Sequence, residues 1–189
     1  MTKAKKSGPA IFMYCVIALG VLVAVTCLSL YYTDIAKNAV VLWTGVTAFT
    51  IIYHFWGRLI LGNITKLFPI HYSQAWFREH RFEKKLYKFL RVQKWKDKVP
   101  TYNPELFDMK TRSLDDIAVT MAKVETDHWV NELLSLTTLL FPLLWGQWWI
   151  FVLSAFVAML FDAQFIVVQR FNRPKAVRVL KHREKMKVA

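Results

Sequence analysis

Glu125 and His128 stand three residues apart in the stretch VETDHWVNE, with Trp129 beside them and Glu132 one turn further on. On a helix these positions share a face. A carboxylate one turn before a histidine can orient the ring and raise its basicity, which is what a general base acting on a hydroxyl needs. The competing reading of the same residues is a solvated, charge-balanced helix start. Further along, Gln169-Arg170-Phe171-Asn172-Arg173-Pro174-Lys175 brings two arginines and two amides together. Paired guanidiniums bind phosphate bidentately, as on coenzyme A or a lipid headgroup, and they serve equally as the positive flank of a membrane helix. Asp162 lies deep in an apolar stretch. It reads evenly as a functional intramembrane group and as a partner for the basic cluster at Arg170. His54 and Arg58, at the end of another apolar run, read as side chains snorkelling to headgroups.

Other chemistries lack their residues. A di-iron carboxylate bundle needs two Glu-x-x-His motifs and two further glutamates, and this chain has one such motif. There is no His-x-x-His-His cluster, Gly-x-Ser-x-Gly elbow or Cys-x-x-Cys pair. No histidine has an aspartate five residues later, so the box of the common glycerol-phosphate acyltransferases is absent. The six glycines form no phosphate-cradling loop. Cys15 and Cys27 fall inside an apolar run and read as small apolar residues, so no metal site is expected.

The elements that must position these groups belong in a membrane. The chain of 189 residues is 55% hydrophobic, yet it carries 26 Lys+Arg against 13 Asp+Glu, a net charge of +13. A soluble globule does not combine these properties unless charged and apolar residues fall in separate blocks, and here they do. Residues 10–32, 38–57 and 133–161 contain no charge. Runs of about 18 or more apolar residues read as spans, which excludes a soluble enzyme and a disordered tail. The last run is too long for one helix. Pro142 weakens continuation, Gly146 permits a reversal, and Trp145, Trp148 and Trp149 suit a membrane–water interface. The pattern predicts helices over 128–145 and 147–169 joined by a short turn, with one tilted, proline-kinked helix as the alternative.

The expected fold is therefore an all-α integral membrane protein with about four transmembrane helices in a single membrane domain, 1–189. Its spans are 10–32, 39–57, 128–145 and 147–169, with a cytoplasmic segment at 62–127 and a basic tail at 170–189. Basic residues test this parity. The N-terminal tail holds Lys3, Lys5 and Lys6, residues 58–128 hold fourteen Lys/Arg, and residues 170–189 hold eight. Only Lys37 falls on the opposite side. The positive-inside rule then places both termini and the middle segment in the cytoplasm of a multi-pass cell-membrane protein. Three spans would instead send the C-terminal charges across. Residues 1–32 read as a retained span, the alternative being a cleaved signal peptide.

Between spans two and three, residues 77–95 set Phe82, Leu86, Phe89 and Leu90 against Arg81, Lys84, Lys85, Lys88 and Arg91. This spacing predicts a basic amphipathic helix lying in the headgroup layer of an anionic leaflet, with membrane lipids as partners. Nucleic acid is not an expected partner, because the charges track the membrane ends and no recognition fold fits beside four spans. Residues 99–108, with two prolines, read as a loop. Ser113 reads as an N-cap, followed by Asp115 and Asp116 in the first turn of a helix that runs on into the third span.

Four features occur in order: Lys94-Trp95-Lys96-Asp97-Lys98-Val99-Pro100, Phe107-x-x-Lys110, Glu125-x-x-His128-Trp129, and the Gln169–Lys175 stretch. In these the chain resembles the glycosyl-4,4′-diaponeurosporenoate acyltransferase family of bacterial carotenoid biosynthesis, over about residues 85–182. The resemblance implies transfer of a fatty acyl group to a glucose hydroxyl of a glycosyl carotenoid acid, a lipid-linked sugar, at the inner face of the bacterial membrane. The matching positions are Trp95, Lys96, Lys110, Glu125, His128, Trp129, Gln169, Arg170, Asn172, Arg173 and Pro174. Where the family tends to carry a further glutamate, five residues before its Glu-x-x-His, Thr120 stands.

On this reading His128 and Glu125 are catalytic. Trp95, Lys96, Lys110, Trp129, Gln169, Arg170, Asn172 and Arg173 bind substrate, and the arginines with Lys96 and Lys110 hold donor phosphates or the developing oxyanion. The donor is an acyl thioester, acyl-CoA or acyl carrier protein, and no cofactor is bound. The reading of a different class is a non-enzymatic membrane scaffold or partner subunit seated on anionic lipid.

Overall fold

The computed structural model describes residues 8–101 and 103–188, and every regular element among them is helical. Lys3, Lys5 and Lys6 lie outside the described residues. Helix α1 (Gly8–Tyr32) is apolar around its whole circumference, and Phe12, Leu19, Leu22 and Val25 stay exposed, as suits a surface facing hydrocarbon. At 1.5 Å per residue its 25 residues reach about 37 Å, enough to cross a bilayer core. Helix α2 (Ala39–Ile64) starts where the Asn38 side chain accepts the Val41 N–H at 3.0 Å. The two helices pack as a hairpin around Ala24, Ala48 and Ile52, and Gly20 and Gly45 let the backbones approach against Ile52 and Leu28. α2 runs two turns beyond the expected end at 57. Arg58 does not stop it, because its guanidinium folds back to the His54 carbonyl at 2.8 Å and onward into the protein.

The segment that follows α2 is shorter-jointed than its pattern predicts. In place of one helix over 77–95 there are α3 (Arg81–Phe89) and α4 (Val92–Trp95), divided by Arg91 in the left-handed region at φ 51°. What packs inward is neither the apolar nor the basic stripe. Glu83, Tyr87 and Val92 are buried, while Phe82, Leu86, Phe89 and Leu90 point outward. Tyr87 meets Phe171 edge-on at 5.5 Å, which seats α3 against the last helix. The stretch read as a loop contains one 3-10 turn, Pro104–Phe107.

Helix α5 (Leu114–Thr137) begins as expected, with Ser113 Oγ accepting the Asp116 N–H at 3.1 Å. It does not continue to 145. Thr137 and Thr138 hydroxyls donate to the Leu134 and Ser135 carbonyls, and Pro142 has no N–H to carry the ladder. The chain tightens into a 3-10 turn at Thr138–Leu140 and resumes as α6 (Pro142–Trp145), with the proline in its first turn. Gly146, at φ 69° and ψ −156°, occupies backbone space open essentially to glycine alone, and reverses the chain. Helix α7 (Trp148–Val188) then runs back along α5 for 41 residues, through Pro174, so the basic tail is its helical extension.

Among the described residues three helices are long and apolar enough to cross a membrane: α1, α2 with the turn that follows it, and α7. α5 is not one of them. It carries Asp115, Asp116, Lys123, Glu125, Asp127 and Glu132, and the apolar stretch that follows it is broken at Pro142. The tip of this hairpin still reaches the α1–α2 loop. Trp145 Nε1 donates to the Tyr32 hydroxyl at 3.1 Å, and Phe49 packs on Phe141 and Trp145. α2 approaches α5 closely at Gly57, where a Cβ would lie 2.4 Å from Leu134 Cδ2.

Candidate functional site

The antiparallel pairing of α5 with α7 sets Asp162 opposite His128. His128 Nδ1 lies 2.7 Å from Asp162 Oδ1, and the imidazole stacks flat on Phe165, with centroids 4.3 Å apart and planes 3° from parallel. Arg58 reaches across from α2 and donates to Asp162 Oδ2, while Asn131 Nδ2 donates to Oδ1 at 3.3 Å. Asp162 is fully buried. It is therefore compensated by one permanent cation and oriented by two more donors, as a buried carboxylate must be. His128 Nε2 has no hydrogen-bond partner among the described residues, so this nitrogen is open to accept a proton. Arg58 Nε and Asn131 Oδ1, both buried nearby, also lack a partner within the protein. Glu132, one turn beyond His128, is buried beside them. Arg58 thus turns inward instead of snorkelling. His54 is likewise buried, with Nε2 3.3 Å from Ser154 Oγ.

Glu125 does not orient His128, which corrects the expected pairing. Its carboxylate, fully buried, is held by two arginines of α7. Arg170 Nη1 donates to Oε1 at 2.7 Å and Arg173 Nη1 donates to Oε2. Arg170 also grips Glu83 of α3, through Nη2 at 2.5 Å and Nε at 3.2 Å, and Arg173 Nη2 caps the Phe77 carbonyl at 3.0 Å. Tyr87 completes the network by donating to Glu83 Oε2 at 2.6 Å. Burial alone would raise Glu83, but the bonds from Arg170 and Tyr87 outweigh it and hold the carboxyl below the usual range. Burial and the adjacent Glu83 carboxylate push the Tyr87 phenol upward. The network ties α3, α5 and α7 together. Its guanidiniums, read from sequence as phosphate ligands, are here paired with protein carboxylates.

The remaining expected residues scatter. Trp129 meets Trp76 edge-on at 6.0 Å, and both line a cavity of about 330 Å³ with Phe77 and Thr126, one residue from His128. Gln169 is buried and Asn172 half-buried on α7. Trp95 Nε1 donates to the Leu90 carbonyl at 2.9 Å, Lys96 pairs with Asp97 at 2.6 Å, and Lys110 is exposed at a turn. Among the described residues no hydrogen bond or ion pair joins these last three to either cluster. Nor do three or more His, Cys, Asp or Glu groups stand together as a metal site among them. Arg58, Glu83 and Asn131 were not anticipated. An acid set among Arg81, Lys84 and Lys85 was the available signal for Glu83.

A histidine oriented by a buried carboxylate, inside a bundle of membrane-type helices, suits a transferase that removes a proton from a hydroxyl. Residues 73–182 match the family described as glycosyl-4,4′-diaponeurosporenoate acyltransferase. The match spans more than half of the chain, which belongs to that family and is an acyltransferase. No curated protein and no solved structure matches it.

Proposed function

We propose that this protein transfers a fatty acyl group from a thioester to a sugar hydroxyl of a glycosyl carotenoid acid at the cytoplasmic face of the membrane. The observation that carries the reading is the 2.7 Å contact of His128 Nδ1 with Asp162, which leaves Nε2 free. His128 Nε2 takes the proton of the acceptor hydroxyl as its oxygen attacks the thioester carbonyl. Asp162 holds the ring with Nδ1 protonated and stabilises the imidazolium that forms. The tetrahedral oxyanion collapses, expelling the thiolate, and the imidazolium returns its proton to that sulfur. Arg58, whose Nε–H has no protein partner, supplies positive charge beside the developing oxyanion. The acceptor's sugar rests in the Trp76–Trp129 cavity, where aromatic rings offer it apolar faces.

In this reading the α5–α6 segment crosses with α7 as a hairpin, giving four passes and both termini in the cytoplasm. The contact of Trp145 with Tyr32 supports it, because the hairpin tip lies level with the α1–α2 loop. The test is lipid-extract mass spectrometry of a deletion host complemented with wild type or His128→Ala. Deletion should remove one fatty acyl mass from a glycosylated carotenoid, and the variant should fail to restore it at wild-type expression. Full restoration by His128→Ala would overturn the assignment.

A further inference from the structure

On the cytoplasmic side of the Glu83–Arg170 network, α3 and α4 stand off from α7 and leave a cleft of about 430 Å³. Lys84, Lys88, Arg91 and Lys94 line one wall, with Lys175 and Arg178 opposite. Among the described residues none of these six forms a salt bridge, and Glu79 is the single acid lining the cleft. This contrasts with Arg58, Arg170 and Arg173, each of which is paired with a carboxylate. Partial burial and the charges of Lys96 and Arg178 hold the Lys175 ammonium below the usual lysine range, so its positive form is crowded. Six cations without a carboxylate partner, Lys175 resting over the Phe171 ring at 3.5 Å, converge on a concave space and form a site for several phosphates at once.

We infer that this cleft binds the clustered phosphates of the acyl donor's nucleotide, so that the donor is an acyl-coenzyme A. The inference rests on the acyl-transfer reading for its donor and on the cleft for its chemistry. Its placement fits. Lys175 lies thirteen residues beyond Asp162 on α7, about 20 Å along the axis at 1.5 Å per residue, a reach comparable to an extended pantetheine arm. An open cleft of this volume suits the phosphates of a small molecule, whereas a carrier protein needs a broad face. The nucleotide phosphates thus bind beyond Arg170 and Arg173, which are already paired with carboxylates.

The same phosphate chemistry is offered by anionic lipid headgroups, and the test separates the two sources. Full-length protein in phosphatidylcholine nanodiscs is titrated calorimetrically with coenzyme A, dephospho-coenzyme A and pantetheine, and the titration is repeated in discs containing phosphatidylglycerol. The expected order is coenzyme A tightest, dephospho-coenzyme A weaker and pantetheine undetected, with affinity falling as salt rises. Lys88→Glu with Arg178→Glu should weaken coenzyme A at least about tenfold, the scale of losing two charge-assisted bonds. Lys88→Gln alone should weaken it measurably, which covers the case in which the double variant misfolds. His128→Ala should bind coenzyme A like wild type, so an error in the catalytic assignment leaves this result standing. Equal affinity for pantetheine, or an unchanged constant in the folded variants, would overturn the donor site. Retention of phosphatidylglycerol without coenzyme A binding would also overturn it and assign the cleft to lipid.

Discussion

Replacing Asp162 by Asn separates the two tasks this one carboxylate performs. The variant leaves His128 Nδ1 without its acceptor, so turnover should fall by about 10²-fold or more, the usual worth of a positioned general base. It also leaves Arg58 buried without a counter-charge, which costs about 3–5 kcal/mol. Glu125→Gln should divide differently. It strips charge from the partner of Arg170 and Arg173, and should lower stability on the same scale while turnover per folded molecule stays within a few-fold. Detergent melting beside a single-turnover acyl assay measures both, and loss of turnover without loss of stability in Glu125→Gln would return the orienting role to Glu125. The spacing of Glu125 and His128 correctly announced one shared helix face. It did not announce their partners, because those come from α7, and an antiparallel register between two helices leaves no trace in the spacing within either one.

At the scale of elements, α3 is held by charge more than by apolar contact. Glu83 titrates below its ordinary range when α3 is docked, so the pair with Arg170 stabilises the docked state fully above that range. The contribution fades as pH falls through the ordinary carboxylate value and is gone below the folded one. Hydrogen-exchange protection factors over residues 75–89, taken against the intrinsic amide rate at each pH, should therefore fall on acidification, and Glu83→Gln should lower them already at neutral pH. The turn at Gly146 makes a second element-level prediction. Gly146→Ala forces a side chain into glycine-only backbone space, at a cost of about 1–3 kcal/mol, and should lower the melting temperature without touching the site. Pro142 and Gly146 made that reversal readable from sequence. The burial of Glu83 and Tyr87 was not readable, since the partners that draw them in, Arg170 and Phe171, lie on α7.

For the whole molecule, block separation of charge from apolar residues was enough to read a helical membrane protein. The count of continuous spans was harder, because α5 mixes buried ion-pair partners into what would otherwise be apolar length. Single-cysteine labelling decides the topology proposed here, in a background with Cys15 and Cys27 replaced. A probe that cannot cross membranes, applied to intact cells, should label Gln147→Cys and spare Lys181→Cys until the cells are opened. The opposite pattern would invert the protein, and labelling of both would break the four-pass arrangement.

α7 carries Asp162, Arg173 and Lys175 on one uninterrupted rod. Asp162 and Arg173 are eleven residues apart, three turns to within about 20°, so both face α5. Losing or gaining one residue between them would swing Arg173 about 100° from Glu125 while Asp162 kept its place. Descendants of this chain can thus exchange side chains along the outer face of α7 freely, yet tolerate no change in its length between those two positions.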